Sequence, residues 1–142
     1  MSTSDEQAIA NLLFAYANYF DAGRWEEAAG LLQHATIPMR GGTIGSAELL
    51  EQWRATVILH DGSPRTSHVT TNLEIVVDGD TATCRSRFTV LQSVVAGELR
   101  TVCNGRYLDT FERHDGAWRF TSRAYRMDLV GDLSQHLRTP VG

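Results

Sequence analysis

The sequence predicts an α+β fold: three N-terminal helices packed on a strongly curved, mostly antiparallel sheet that forms a cone-shaped barrel. Apolar residues recur at helical spacing in the N-terminal part of the chain. After residue 66 the apolar period changes to two, and short turns separate four long runs. Helices followed by a run of strands are typical of α+β domains rather than of alternating βαβ units.

Three helices are predicted before residue 60. The first follows Ser4 and ends at Asp21-Ala22-Gly23, and its buried face is formed by Ile9, Leu12, Leu13, Tyr16, Ala17 and Phe20. The second is short and places Trp25, Ala28, Ala29 and Leu32 on one side. The third begins at Ser46 and carries Leu49, Leu50, Trp53 and Val57. The first two helices are expected to cover one face of the sheet.

The remaining chain predicts an antiparallel meander. The runs 67–77, 81–94, 99–113 and 118–129 are separated by turns at 78–80, 96–97 and 114–116. Because these runs are long for strands, we expect bulges that curl the sheet around a cavity. Strict alternation in the first run places His68 on the polar face, opposite the stripe of Val69, Leu73, Ile75 and Val77.

Length and composition indicate one globular domain over residues 1–142. Apolar residues make up 42% of the 142, charged residues 21%, and the net charge is −4 with no basic block, which argues against a nucleic acid partner. No apolar stretch has the length of a membrane span, and the N-terminus lacks a signal-peptide pattern. The two cysteines have neither metal-ligand spacing nor disulfide-scaffold density. The expected setting is the cytoplasm.

Asp21 and His68 are the candidate catalytic residues. Asp21 follows the apolar face of the first helix, and His68 opens the first long strand. A histidine bonded to a carboxylate is held in one tautomer, and its imidazolium is stabilised, so it is a suitable general base near neutral pH. Two structural alternatives remain open at this stage: Asp21 closes a helix turn or caps the second helix, and His68 is an ordinary strand-end residue.

Other candidates surround this pair. We expect the substrate-binding residues to be Tyr16, Phe20, Trp25, Trp53, Phe88 and Arg123. The sequence leaves open which of Arg106, Arg123 and Arg126 faces the cavity. His60, His114 and His136 fall in loops or in the polar tail after Gly131 and are expected at the surface, with the tail loosely held. No motif for a metal or a nucleotide cofactor is found in the sequence, so no cofactor is expected.

Three segments of the chain have a recognisable order and spacing: the helix end Tyr16-Ala-Asn-Tyr-Phe20-Asp21-Ala-Gly-Arg-Trp25, the piece Ser67-His68-Val69-Thr70-Thr71-Asn72-Leu73, and the hairpin over 105–120. On these segments the chain resembles the SnoaL-like branch of the NTF2-like superfamily. It implies an α+β cone that holds a small hydrophobic ligand, often in homodimers or homotrimers. Asp21 and His68 fall where the scytalone dehydratase and lindane dehydrochlorinase branch carries its Asp–His pair. Phe20 departs from the pattern, because scytalone dehydratase has a tyrosine there. The second histidine in the pocket of scytalone dehydratase also has no counterpart in these motifs.

The resemblance favours a cofactor-independent lyase or isomerase of the dehydratase type, with His68 as base and Asp21 as its partner. The expected substrate is small, apolar and cyclic. Two alternatives stand beside it: a non-catalytic module of the same fold that binds a small ligand, and a polyketide cyclase. Fold alone does not choose among these functions.

Overall fold

The structure is a computed structural model and describes residues 3–138. Two helices come first, α1 (Asp5–Asp21) and α2 (Trp25–Gly30). A small hairpin of β1 (Ile37–Met39) and β2 (Gly42–Ile44) leads to helix α3 (Ser46–Thr56). Four long strands follow: β3 (Thr66–Asp78), β4 (Thr81–Gln92), β5 (Arg100–His114) and β6 (Ala117–Val130). Within residues 3–138, the structure contains no helix with the length and hydropathy needed to cross a membrane.

The long strands form an antiparallel sheet in the order β3-β4-β5-β6, as predicted for a meander. Every neighbouring pair contains a register shift: Thr71/Glu74 between β3 and β4, Val90/Leu91 between β4 and β5, and both Asn104/Gly105 and Thr110/Phe111 between β5 and β6. Such irregularities bend strands and increase their twist. The predicted α+β class, with helices packed on a curved antiparallel sheet, is confirmed.

Helix α1 begins with a side-chain cap and buries one face against the sheet. The Ser4 hydroxyl accepts a hydrogen bond from the Gln7 backbone amide at 3.2 Å, which satisfies one of the free amides at the helix start. The buried residues of α1 are Ile9, Ala10, Leu13, Ala17 and Phe20. Ile9 and Leu13 share a core cluster with Phe111 and Phe120 from the sheet. This packing fixes the helix end, and therefore Asp21, against the sheet.

The C-terminal segment 131–138, which we call the strap, contradicts the expectation of a loose tail. Its backbone is bonded to the segment after α3: the Ile58 amide donates to the His136 carbonyl at 2.8 Å, and the Arg138 amide donates to the Thr56 carbonyl at 2.8 Å. The Gln92 side-chain amide donates to the Gln135 carbonyl at 3.0 Å. These bonds, together with the packing of Leu133 and Leu137 against two core clusters, hold the strap on the barrel.

Candidate functional site

Asp21 joins the end of α1 to the start of β3. Its carboxylate accepts hydrogen bonds from the His68 backbone amide at 2.6 Å, from the His68 Nδ1 at 2.6 Å and from the Thr66 hydroxyl at 2.8 Å. The N-cap of α2 is Arg24, which makes no side-chain cap bond, so Asp21 does not cap that helix. The two predicted residues are therefore directly bonded.

The bond to Asp21 also sets the tautomer of His68. A carboxylate only accepts hydrogen bonds, so Nδ1 carries the proton and Nε2 is left as the nitrogen that can accept one. The His68 ring packs edge-on against Phe20, with 4.9 Å between ring centroids. Both side chains of the pair are largely buried. An oriented imidazole with one free basic nitrogen is the arrangement that general-base catalysis requires.

A β-bulge aims His68 at the interior. Strict alternation predicted that His68 lies opposite the apolar stripe, and this prediction is wrong. The register shifts between Thr71 and Glu74, and Asn72 has a left-handed backbone with φ of 55°. The inserted residue reverses the facing pattern, so His68 points inward together with Leu73, Ile75 and Val77, whereas Val69 is exposed.

His68 lines a largely apolar cavity of about 300 Å³ between the helices and the sheet. Five of the six residues predicted to bind substrate also line it: Tyr16, Phe20, Trp53, Phe88 and Arg123. Trp25 does not, and its assignment is corrected here. Its ring stacks on Phe20, with 5.6 Å between centroids, and its indole N–H donates to the Phe20 carbonyl at 3.1 Å. It therefore supports the wall of the cavity from behind Phe20.

Arg123 is the arginine that faces the cavity. It is 3% exposed, and its guanidinium carbon lies 3.6 Å from the centroid of the Tyr107 ring and 4.1 Å from that of Tyr16. Arg126 is exposed, and Arg106 bonds Asp128 at 2.7 Å on the outer face of the sheet. Arg106 and Arg126 are cross-strand partners on the outer face, whereas Arg123, three residues before Arg126 on β6, faces the interior.

Asp109 is the buried counter-ion of Arg123. It is 0% exposed, and its carboxylate lies 3.5 Å from Arg123 Nε without a well-aligned hydrogen bond. Burial raises the pKa of Asp109 to about 6, and the Arg123 charge counteracts part of this rise. Burial also raises the pKa of Tyr16 to about 12, so its phenol keeps its proton at neutral pH. Tyr16 and Arg123 are thus both hydrogen-bond donors near the cavity.

His136 is a cavity residue that the sequence reasoning missed. Predicted at the surface, it is 5% exposed and lines the cavity, with 6.5 Å between its ring centroid and that of His68. The strap carries it there. The spacing of Leu133 and Leu137, four residues apart, was the available signal that this segment packs rather than frays.

Comparison with known proteins places this architecture in a family. A family model described as a SnoaL-like domain matches residues 1–124 of the chain. The chain belongs to the SnoaL-like family. The uncharacterized protein Rv2910c of Mycobacterium tuberculosis is 31% identical over 125 residues, covering 84% of this chain and 83% of that protein.

Solved structures show the same fold. An NTF2-like protein with a cystatin-like fold from Novosphingobium aromaticivorans superposes with a TM-score of 0.70 at 22% identity, covering 87% of this chain and 81% of that one. A candidate scytalone dehydratase from the same organism superposes with a TM-score of 0.69 at 24% identity, covering 90% of this chain and 87% of that one. At these identities the likeness shows that this SnoaL-like chain has the NTF2-like fold.

Proposed function

We propose that this SnoaL-like protein is a cofactor-independent lyase or isomerase that removes a proton from a small, mostly apolar, cyclic substrate. The observation that carries the proposal is the Asp21–His68 pair, bonded at 2.6 Å with His68 on the wall of an apolar cavity. The likeness to a candidate scytalone dehydratase adds support at the level of fold. The pair supplies the two roles that such a reaction requires, a base and a group that orients it.

The reaction follows from the free nitrogen of His68. Nε2 takes a proton from a carbon next to a carbonyl or beside a leaving group, and Asp21 stabilises the imidazolium that forms. In an elimination, the C–H electron pair becomes a C=C bond while the C–O or C–halogen bond breaks, and the leaving group departs as halide or, with the proton that His68 took, as water. In an isomerisation, the same pair forms an enolate, and His68 returns the proton to a different carbon. Both courses balance without a cofactor.

Two donors are available for charge that develops on a substrate oxygen. Arg123 keeps its charge at neutral pH and lines the cavity, and Tyr16 keeps its phenolic proton beside it. Donors placed in a water-poor site stabilise an oxyanion more strongly than they would in water. We assign Arg123 and Tyr16 to this role and the aromatic residues Phe20, Trp53 and Phe88 to substrate packing.

The cavity size limits the substrate. A cavity of ~150 Å³ lined by apolar side chains holds one benzene molecule. At about 300 Å³ this cavity suits a compound of one or two rings. We therefore use 2-tetralone, a two-ring ketone with acidic C–H bonds beside its carbonyl, as the probe.

The test is deuterium exchange. Wild-type protein in D₂O is expected to accelerate exchange of the C–H protons beside the 2-tetralone carbonyl over buffer, as followed by proton NMR. His68→Gln is expected to lower this rate about 100-fold or more, and Asp21→Asn is expected to lower it less, because the base remains but loses its orientation. His114→Gln, a change at an exposed loop histidine, is the matched control.

The outcomes separate the candidate functions. If 2-tetralone occupies the cavity and wild type exchanges its protons no faster than His68→Gln, the protein is a ligand-binding module and the proposal fails. A polyketide cyclase would use the same pair, so product analysis with a linear polyketide mimic distinguishes ring closure from elimination.

We also propose that the chain is a homodimer or homotrimer. The outer face of the sheet exposes large apolar side chains, among them Val76 and Leu108, which are 63% and 50% exposed. Large exposed apolar side chains on one face of a sheet favour association between copies.

A further inference from the structure

His136 has hydrogen-bonding capacity that no residue among 3–138 uses. Its Nδ1 atom is sealed from solvent and has no hydrogen-bond partner within the described part of the chain. Its carbonyl and amide are both engaged, with Ile58 and Leu133 respectively, so the residue is firmly placed. Buried polar atoms are normally paired, so a sealed and unpaired Nδ1 limits which tautomer the ring can adopt and leaves any contact with a ligand to the other ring nitrogen.

The surroundings keep the His136 ring neutral. Burial, and to a smaller extent the nearby His68, lower its pKa to about 4, while the Asp21 carboxylate acts in the opposite direction. The other polar side chains at the strap are committed elsewhere: His60 Nε2 lies 2.8 Å from the Gln135 carbonyl, and the Gln92 amide donates to that same carbonyl. No carboxylate in residues 3–138 bonds the His136 ring.

The tautomer follows from the sealed nitrogen. A buried N–H without an acceptor is rarer in proteins than an acceptor without a donor. The proton of the neutral ring is therefore placed on Nε2, and Nδ1 is left as the unpaired acceptor. Because Nδ1 is sealed, Nε2 is the nitrogen that remains for a ligand in the cavity that His136 lines.

We propose that His136 is a further polar contact of the site, in addition to Arg123 and Tyr16, and that its neutral imidazole donates a hydrogen bond to the oxygen of the substrate whose C–H bond faces His68. The two rings flank one part of the cavity, with 6.5 Å between their centroids and no hydrogen bond joining them. The substrate class is accordingly a small cyclic ketone or alcohol. His136 polarises the oxygen as a neutral donor and transfers no proton of its own. This inference rests on the proposed function for the reaction, but its binding step is measured separately.

The experiment measures the affinities of four proteins for 2-tetralone, which has a carbonyl oxygen, and for tetralin, which lacks that oxygen. Wild type is expected to prefer 2-tetralone. His136→Phe keeps a ring of similar size without a donor and is expected to lower that preference about tenfold, whereas His136→Gln, which retains an N–H donor, restores part of it. His114→Gln, a change at an exposed histidine outside the cavity, is the control: it is expected to keep both the preference and the deuterium exchange.

Three results would overturn the proposal: an unchanged preference in His136→Phe, equal losses of preference in His136→Phe and His136→Gln, or a wild-type protein that binds neither probe. Amide NMR spectra of both variants establish that they are folded. A preserved preference without exchange in wild type would leave the His136 contact standing and remove the catalytic function, so the two failures are distinguishable.

Discussion

At the scale of single residues, the buried His136 makes stability depend on pH. Its pKa falls from about 6.5 when unfolded to about 4 when folded, so the unfolded chain binds more protons between these values. Stability therefore rises with pH from 4 to 6.5, and this contribution is lost as pH falls through the same range. When the pH is lowered through this range, we expect the free energy of unfolding of His136→Phe to fall by up to about 3 kcal/mol less than that of wild type.

The free energy of unfolding of both proteins is measured with urea at pH 4.5 and pH 7.5, and the change between the two pH values is compared between the proteins. The difference is needed because Asp109 titrates in the same range with opposite sign. Its folded pKa of about 6 exceeds its ordinary 3.8, so the folded state binds more protons, and stability falls as pH rises through that range. Parallel pH profiles for wild type and His136→Phe would contradict the buried, neutral assignment of His136.

Individual residues of the site differ in how well the sequence alone predicts them. Asp21 and His68 were indicated because each stands at the end of a strongly patterned element, and the structure brings them within 2.6 Å. His136 could not be found in this way. Its burial depends on backbone bonds between the strap and residues 56–58, which are about 80 positions away in sequence. Trp25 was misplaced for a related reason: an aromatic residue on a helix face can form the cavity wall or lie behind it.

At the scale of elements, β3 depends on one backbone conformation. Asn72 adopts φ of 55°, which asparagine tolerates and β-branched residues do not. Asn72→Val is expected to destabilise the protein by about 1–2 kcal/mol and to lower deuterium exchange, because a relaxed bulge would turn His68 away from the cavity. Urea unfolding and the 2-tetralone assay measure the two effects.

Asn72→Gly is the matched control for this prediction. Glycine adopts positive φ without strain, so the bulge is kept, and stability should stay within about 1 kcal/mol of wild type with normal exchange. Neither substitution touches the main cavity, because Asn72 does not line it. Equal stability and exchange in the valine and glycine variants would show that the bulge does not orient His68.

The elements themselves were largely predictable, and so was the presence of bulges in the long strands, whereas the positions of the bulges were not. Helix α1 and the turns between the long strands follow from apolar periodicity and from glycine and aspartate pairs. The shift at Thr71/Glu74 carries no comparable signal, since an asparagine inside a strand run reads as one more polar position of the alternation. A single inserted residue then reverses the facing assignments on one side of it, here those of His68 and Val69 before the bulge.

At the scale of the whole molecule, charge and apolar area compete on the outer face of the sheet. Arg87, Arg106 and Arg126 are cross-strand neighbours in one row, and Asp128 lies within 3.6 Å of each. The row therefore keeps excess positive charge on the face that also exposes Val76 and Leu108. Like charges on two such faces repel each other, whereas the apolar side chains favour contact.

This competition gives the prediction for self-association. Salt screens charges beyond about 8 Å at 0.15 M and beyond about 3 Å at 1 M, so added salt should strengthen an association through this face rather than weaken it. In sedimentation experiments wild type should run at two or three times 15.8 kDa, with tighter association in 1 M NaCl.

Leu108→Glu should be monomeric at micromolar concentration, because a carboxylate would be buried in the apolar part of the contact. Leu99→Glu, at an exposed position outside the strands, should behave as wild type. A wild-type monomer at high micromolar concentration would end the proposal of a homo-oligomer, and an oligomer that survives Leu108→Glu would move the interface to another face.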